Sequence, residues 1–125
     1  MANTRHLLAQ VEGAGTQMAA GLITDVVGTP TLGSLSSPQG TIGDFSVVDN
    51  GVGDTSLVIA NFAGPLGFAV PTIALISSGT FGERGVKIVA SSYSGDTYTI
   101  RYRVFLTSTG VAADGSDISF QIFAF

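Results

Sequence analysis

The chain has 125 residues, contains no cysteine, and carries charge on only 11% of its residues. A single domain of this length can bury roughly 65% of its unfolded surface, and the lack of cysteine excludes disulfides and thiolate chemistry. The formal net charge is −4 and the five basic residues are scattered, which excludes the basic patch that nucleic-acid binding requires. No uninterrupted apolar run approaches the roughly 18 residues of a membrane-spanning helix.

The first forty residues differ in composition from the remainder, and we predict that residues 1–40 form an N-terminal arm and linker. Their first apolar stretch is too short for a signal peptide, which favours synthesis in a cytoplasm. A second apolar stretch, 18–27, is compatible with a helix or a strand, because Gly21 disfavours a helix whereas Val26 and Val27 favour a strand. The apolar side chains expected to dock this arm on a partner are Leu7, Leu8, Val11, Leu22 and Ile23.

Residues 41–125 contain regularly spaced strand candidates that are separated by turn signals, a pattern typical of a sandwich or barrel. Glycines in 51–54 and 94–96 predict hairpin turns, because glycine accepts the positive φ of tight connections. The prolines at 65 and 71 predict a bend or a sheet edge. The predicted fold is all-β, an antiparallel, jelly-roll-like β-sandwich head with an extended N-terminal arm. Its predicted strands are 41–49, 55–62, 69–77, 85–93, 97–107 and 118–125.

Side chains in the last two predicted strands alternate between apolar and polar, as expected when only one face of a strand is buried. We therefore expect the final strand to be held within a sheet. Three phenylalanines break the alternation, and aromatic residues are enriched in interface cores. The low charge content and a mean hydropathy of +0.46 also favour a surface that is partly covered by other copies or by a partner. The predicted homo-oligomer interface consists of Phe105, Phe123 and Phe125.

Residues that could support catalysis or metal binding are few. His6 is the single histidine, so serine-type triads and histidine metal sites lack their usual parts. Asp114 and Asp117 resemble a fragment of a calcium loop, but the other oxygen ligands and the closing glutamate are missing. Most acidic residues lie at strand ends or in turns, where aspartates bond to backbone amides. We predict no catalytic residue, no metal site and no cofactor.

Arg101 and Arg103 flank Tyr102 in the predicted strand 97–107, and arginine with an aromatic ring is a common means of binding sugars or anions. Alternation places both arginines on one face and Tyr102 on the other, so these three side chains cannot form one platform. We expect the arginines to pair with acids on a neighbouring strand or subunit.

Several segments of residues 41–125 share a recognisable pattern: a glycine-rich turn followed by a strand, a sheet rich in threonine and valine, and a final Ser-Phe-Gln-Ile-Phe. These segments are 44–54, 56–62, 68–76, 96–105 and 117–125. With this pattern, residues 41–125 resemble the small β-sandwich head of structural proteins from tailed bacteriophages. Such heads occur as capsid decoration, or cement, proteins and at the ends of tail fibres.

Tail fibres of this type carry a long repetitive stalk ahead of the head, whereas forty non-repetitive residues precede it in this sequence. The resemblance therefore implies a non-enzymatic decoration protein on the capsid exterior, a homotrimer bound to the major capsid protein without nucleic acid or membrane contact. The alternative is a tail-fibre or receptor-binding head that recognises a host-surface glycan. A third reading, a carboxylate-dependent glycan hydrolase, rests only on the scattered acids.

Overall fold

A computed structural model describes residues 16–26, 28–37, 43–62, 69–77, 83–114 and 116–124. Every regular element within these residues is a β-strand. The described residues contain no helix that is long and apolar enough to cross a membrane. The strands are β1 (Thr16–Val26), β2 (Thr29–Ser36), β3 (Asp44–Gly51), β4 (Asp54–Ala60), β5 (Ala69–Ser77), β6 (Arg84–Ser94), β7 (Thr97–Leu106) and β8 (Asp117–Ala124).

The strands form two four-stranded antiparallel sheets. Sheet A has the order β2-β1-β8-β5, and sheet B has the order β3-β4-β7-β6. Sequential strands form the hairpins β1-β2, β3-β4 and β6-β7, while β8 pairs with both β1 and β5. This architecture confirms the predicted antiparallel β-sandwich.

The core lies between the two sheets and is built from the inward face of each strand. Side-chain alternation in β8 directs Ile118, Phe120 and Ile122 inward. The same alternation in β7 directs four residues inward, which are Tyr98, Ile100, Tyr102 and Val104. The rings of Phe45 in sheet B and Phe120 in sheet A stack with their centroids 6.2 Å apart, which joins the two layers. The buried apolar residues are Ala19, Ile23, Leu57, Ile59, Phe62, Tyr98, Ile100, Tyr102, Val104, Ile118, Phe120 and Ile122.

The boundary predicted after residue 40 is wrong, because the sandwich already begins within the predicted arm. Strand β1 lies between β2 and β8 inside sheet A, and its Ala19 and Ile23 are only 0% and 1% exposed. The stretch 18–27, which the sequence left open between helix and strand, therefore falls largely in a strand. Ile23 is a core residue and cannot serve as the docking residue predicted for it.

Small inward residues in β1 are explained by its neighbour β8. Gly21 is paired with Phe120, and a Cβ atom on Gly21 would lie only 2.4 Å from Cζ of that ring. The phenylalanine ring thus covers the glycine backbone and fills the space that a larger side chain of β1 would otherwise occupy. The inward side of β1 can therefore carry small residues such as Ala19 and Gly21, and β1 lacks the strong apolar alternation of β7.

The predicted hairpin turns and the edge at Pro71 agree with the structure, while the bend predicted at Pro65 lies outside the described residues. Gly53 and Gly95 adopt positive φ angles of 63° and 61° in the hairpins β3-β4 and β6-β7. Pro71 lies in β5, which is an edge strand of sheet A, so its missing amide proton removes no bond from the centre of the sheet.

Candidate functional site

The outer face of sheet B carries a row of charged side chains across three adjacent strands. Asp54 of β4 is directly opposite Arg103 of β7, and Arg103 is directly opposite Lys87 of β6. Arg101 lies two residues from Arg103 on the same face. These side chains point outward because Tyr98, Ile100, Tyr102 and Val104 occupy the alternating inward positions of β7. We call Lys87, Arg101 and Arg103 the basic cluster.

Asp54 binds Arg101 through both carboxylate oxygens. The Arg101 Nε donates to Asp54 Oδ1 at 2.9 Å, and the Arg101 Nη2 donates to Oδ2 at 2.6 Å. The Arg103 Nη2 lies 3.6 Å from the same Oδ2, which is an ion pair beyond hydrogen-bond length. The prediction that these arginines pair with an acid on a neighbouring strand is confirmed for Arg101 and, more weakly, for Arg103.

The Asp54 carboxylate is held in the charged form by its surroundings. Hydrogen bonds from Arg101 lower its pKa from 3.8 to about 2, with further lowering by Asn50 and the charge of Arg103 and an opposing effect of burial. Asn50 donates from Nδ2 to Asp54 Oδ1 at 3.4 Å and to Ser56 Oγ at 2.7 Å. Asp54 is 7% exposed, so this outward-facing acid is covered by the residues that bind it.

Phe105 extends the basic cluster with an aromatic ring. It is paired with Gly85, and a Cβ atom on Gly85 would lie 2.6 Å from Cζ of Phe105, so the ring rests on the glycine backbone. The Lys87 Nζ lies 5.8 Å from the ring centroid, within the range of a cation–π contact. Phe105 therefore has contacts within its own chain, and its role in an oligomer interface stays a prediction.

The predicted interface residues do not lie together. Phe105 is on the outer face of sheet B, whereas Phe123 is half-buried on the outer face of sheet A, opposite Gln17. Leu22 also lies on the outer face of sheet A, where it is opposite Ser119. The predicted sites that fall outside the described residues are Phe125, Leu7, Leu8 and Val11, and the single histidine, His6, also lies outside them.

The two aspartates that resemble part of a calcium site lie in the loop before β8 (Asp114) and at the first residue of β8 (Asp117). The carboxylates of Asp114 and Asp117 accept hydrogen bonds from the backbone N–H groups of Gly53 at 2.8 Å and Asp25 at 3.1 Å. Both bonds join segments that are distant in sequence. Arg84 donates to the Asp114 carbonyl and, at 3.0 Å, to Ser116 Oγ. The aspartates thus bind backbone amides, as predicted, although not the nearby amides of a local turn.

Other chemistry in the described residues is limited. No group of three or more His, Cys, Asp or Glu within them is arranged to hold a metal ion. Tyr102 is buried in the core, and burial raises the pKa of its hydroxyl to about 12. A shallow pocket of about 260 Å³ lies where β1 and β2 separate at a bulge, and its lining is Ala20, Gly21, Leu22, Ser34, Leu35 and Ser36.

The sequence reasoning found the two arginines but missed the residues that complete the site. Asp54 lies 47 positions before Arg101, and Lys87 and Phe105 meet only because β6 pairs with β7. Spacing along the chain carries no signal for such neighbours, since the strand register decides them.

Comparisons with protein-family models, curated proteins and solved structures each return no match.

Proposed function

We propose that this protein is a non-enzymatic structural protein of a bacteriophage virion, a decoration protein that binds the exterior of the capsid as a homotrimer. The proposal is supported by the resemblance of residues 41–125 to phage β-sandwich heads and by the all-β fold. Its mechanism is adhesive, because added contacts across neighbouring capsid subunits would strengthen the shell against the pressure of the packaged genome.

The observation that carries the proposal is the uncharged outer face of sheet A. Apart from Asp117 at the start of β8, the described side chains that alternate outward in this sheet carry no charge. They include Leu22 and Phe123, while Ile76 at the end of β5 is 57% exposed. A sheet face with this composition is suited to contact with protein rather than with water alone. The outward residues of this sheet include Gln17, Ala20, Leu22, Thr24, Thr31, Thr72, Ala74, Ser119, Gln121 and Phe123.

The charged site on sheet B supports a binding protein more than an enzyme. A general acid needs a pKa near the working pH, whereas the pKa of Asp54 is lowered to about 2 by the Arg101 hydrogen bonds. Asp54 is also covered by its partners. The Asp54 carboxylate instead forms an ion pair with Arg101 that links β4 to β7, and its contacts with Arg101 and Arg103 orient both side chains.

The proposed position of the protein on the capsid, and not on the tail, is tested by counting its copies in purified virions with quantitative mass spectrometry. Hundreds of copies per particle would support a decoration protein. A few tens or fewer would contradict it and favour the tail-fibre alternative, in which the head recognises a host-surface glycan.

The oligomer is tested with Phe123→Glu, which places a charge on the outer face of sheet A. If this face forms the subunit contact, the variant should be monomeric or aggregated in light scattering, since an unpaired charge in an apolar contact is costly. Ser92→Glu is the matched control, because Ser92 is exposed on the outer face of sheet B. An intact oligomer in both variants would contradict a contact through sheet A.

A further inference from the structure

Two positive side chains lie directly opposite each other on sheet B. Lys87 of β6 and Arg103 of β7 are cross-strand partners on the outer face. Like charges in this position oppose sheet formation. A sequence that keeps such a pair retains a local conflict, and local conflicts of this kind are expected at functional sites.

The conflict is only partly relieved by the acid beside it. Both carboxylate oxygens of Asp54 accept hydrogen bonds from Arg101. The distance between Asp54 Oδ2 and Arg103 Nη2 is 3.6 Å. Within the described residues, the Lys87 ammonium group makes a cation–π contact with the Phe105 ring. Two further acids lie along this face. Asp44 is at the opposite end of β4, where it is paired with Ala60, and Glu83 precedes β6, where its carboxylate accepts a hydrogen bond from the Thr107 hydroxyl at 3.4 Å.

The basic cluster therefore leaves an excess of positive charge on an acidic chain. Lys87, Arg101 and Arg103 contribute three positive charges and Asp54 one negative charge, which leaves two positive charges in excess, while the whole chain has a formal net charge of −4. The Arg101 and Arg103 side chains are 45% and 39% exposed, and Lys87 is exposed. An anion in solution can thus reach the cluster.

The geometry suits a carboxylate in particular. Side chains directly opposite each other on a sheet have Cβ atoms roughly 5 Å apart, so the ends of Lys87 and Arg103 can reach the same carboxylate. The guanidinium fork of Arg103 matches the two oxygens of such a group. Phe105 supplies an apolar surface beside it, and Thr99 and Ser92 add hydroxyl groups further along the same face.

We propose that Lys87, Arg103 and Phe105 form a binding site for a carboxylate-bearing sugar unit of an acidic polysaccharide. The carboxylate lies between Lys87 and Arg103, and the carbon face of the sugar ring lies against Phe105. Small molecules are usually bound in concave pockets, whereas this face is an open sheet, which suits an extended polymer. The site is independent of the decoration role, because it lies on the other sheet from the uncharged face.

The test measures binding of the full-length protein to polygalacturonate, with dextran as the neutral probe, by biolayer interferometry at low and moderate salt. The wild type should bind polygalacturonate, bind it more weakly as salt rises, and leave dextran unbound. Lys87→Gln and Arg103→Gln should each weaken binding at least tenfold. Arg103→Lys should weaken it less than Arg103→Gln, because it keeps the charge but loses the fork.

Ser108→Asp is the control for net charge. It lowers the net charge by one unit, as Lys87→Gln does, but Ser108 is exposed in the turn after β7 and lies on neither sheet face, so binding should be unchanged. Thermal unfolding establishes that each variant is folded, and the exposed Lys87→Gln carries the test if Arg103→Gln is unstable.

Several outcomes would overturn the inference. Equal binding of dextran and polygalacturonate, failure to bind polygalacturonate, or equal affinity of Lys87→Gln and wild type would each do so. Tighter binding to poly-glutamate or to dextran sulfate than to polygalacturonate would also reject a sugar carboxylate, and would assign the cluster to an acidic protein or a sulfated polymer. None of these results depends on whether the protein is found on capsids.

Discussion

Asp54 and Arg101 are joined by two hydrogen bonds although they are not opposite each other in the sheet. Asp54 is in register with Arg103, and Arg101 is in register with Ser56. The Arg101 side chain leans along β7 to reach the carboxylate, with its Nη2 2.6 Å from Oδ2. Arg103 is left with only the 3.6 Å contact to this acid, and its side chain is 39% exposed.

Replacing Asp54 with asparagine should destabilise the protein by about 1.5–3 kcal/mol, the range for hydrogen bonds to charged groups. The variant loses the charge that binds Arg101 and removes from the basic cluster the carboxylate that contacts both arginines. Asp49→Asn is the matched control, because the asparagine oxygen can still accept the Gly51 N–H bond that Asp49 accepts at 3.0 Å. Urea unfolding of both variants would measure the difference, and an equal effect would contradict the role of Asp54.

The same carboxylate should make stability fall in acid. The folded pKa of Asp54 is about 2, below its ordinary value of 3.8. Its contribution is therefore fully present above about pH 4 and is lost as the pH falls toward 2. Chemical unfolding between pH 5 and pH 2 should show a shallower decline in the free energy of unfolding for Asp54→Asn than for wild type. Parallel curves would mean that other carboxylates dominate.

Stability should also fall in alkali because of Tyr102. Burial raises the pKa of this hydroxyl to about 12, above its ordinary value of 10.0. Folding favours the protonated form, so this contribution is present below pH 10 and is lost as the pH rises toward 12. Tyr102→Phe should flatten this decline in the free energy of unfolding. Part of the slope should remain, since burial also raises the pKa of Tyr98.

An alanine at Gly21 should be more harmful than one at Gly85. In both cases the new Cβ would meet a phenylalanine ring, at 2.4 Å for Phe120 and 2.6 Å for Phe105. Phe120 is fixed in the core, so we expect Gly21→Ala to cost about 1–3 kcal/mol, typical of overpacking. Phe105 is half-exposed and can turn away, so Gly85→Ala should be nearly neutral. Equal losses in thermal or urea unfolding would show that the two rings are equally constrained.

Local sequence pattern determined the fold class and most of the strands. Alternation in β7 and β8 identified inward residues such as Ile100 and Phe120, and glycines identified the hairpin turns. These signals are local, because a side chain alternates with its own neighbours and a turn depends on a few consecutive residues. The face of each arginine and the burial of Tyr102 followed from the same alternation.

Only the tertiary structure shows which residues from distant parts of the chain become neighbours in the sheets. The composition of residues 1–40 predicts an arm, and only the pairing of β1 with β8 shows that this segment belongs to sheet A and that Phe120 fills the space above Gly21. In the same way, Asp54 meets Arg101 across 47 residues because β4 pairs with β7. Such contacts depend on strand order and register, which are set by the packing of whole sheets and leave no trace in sequence spacing.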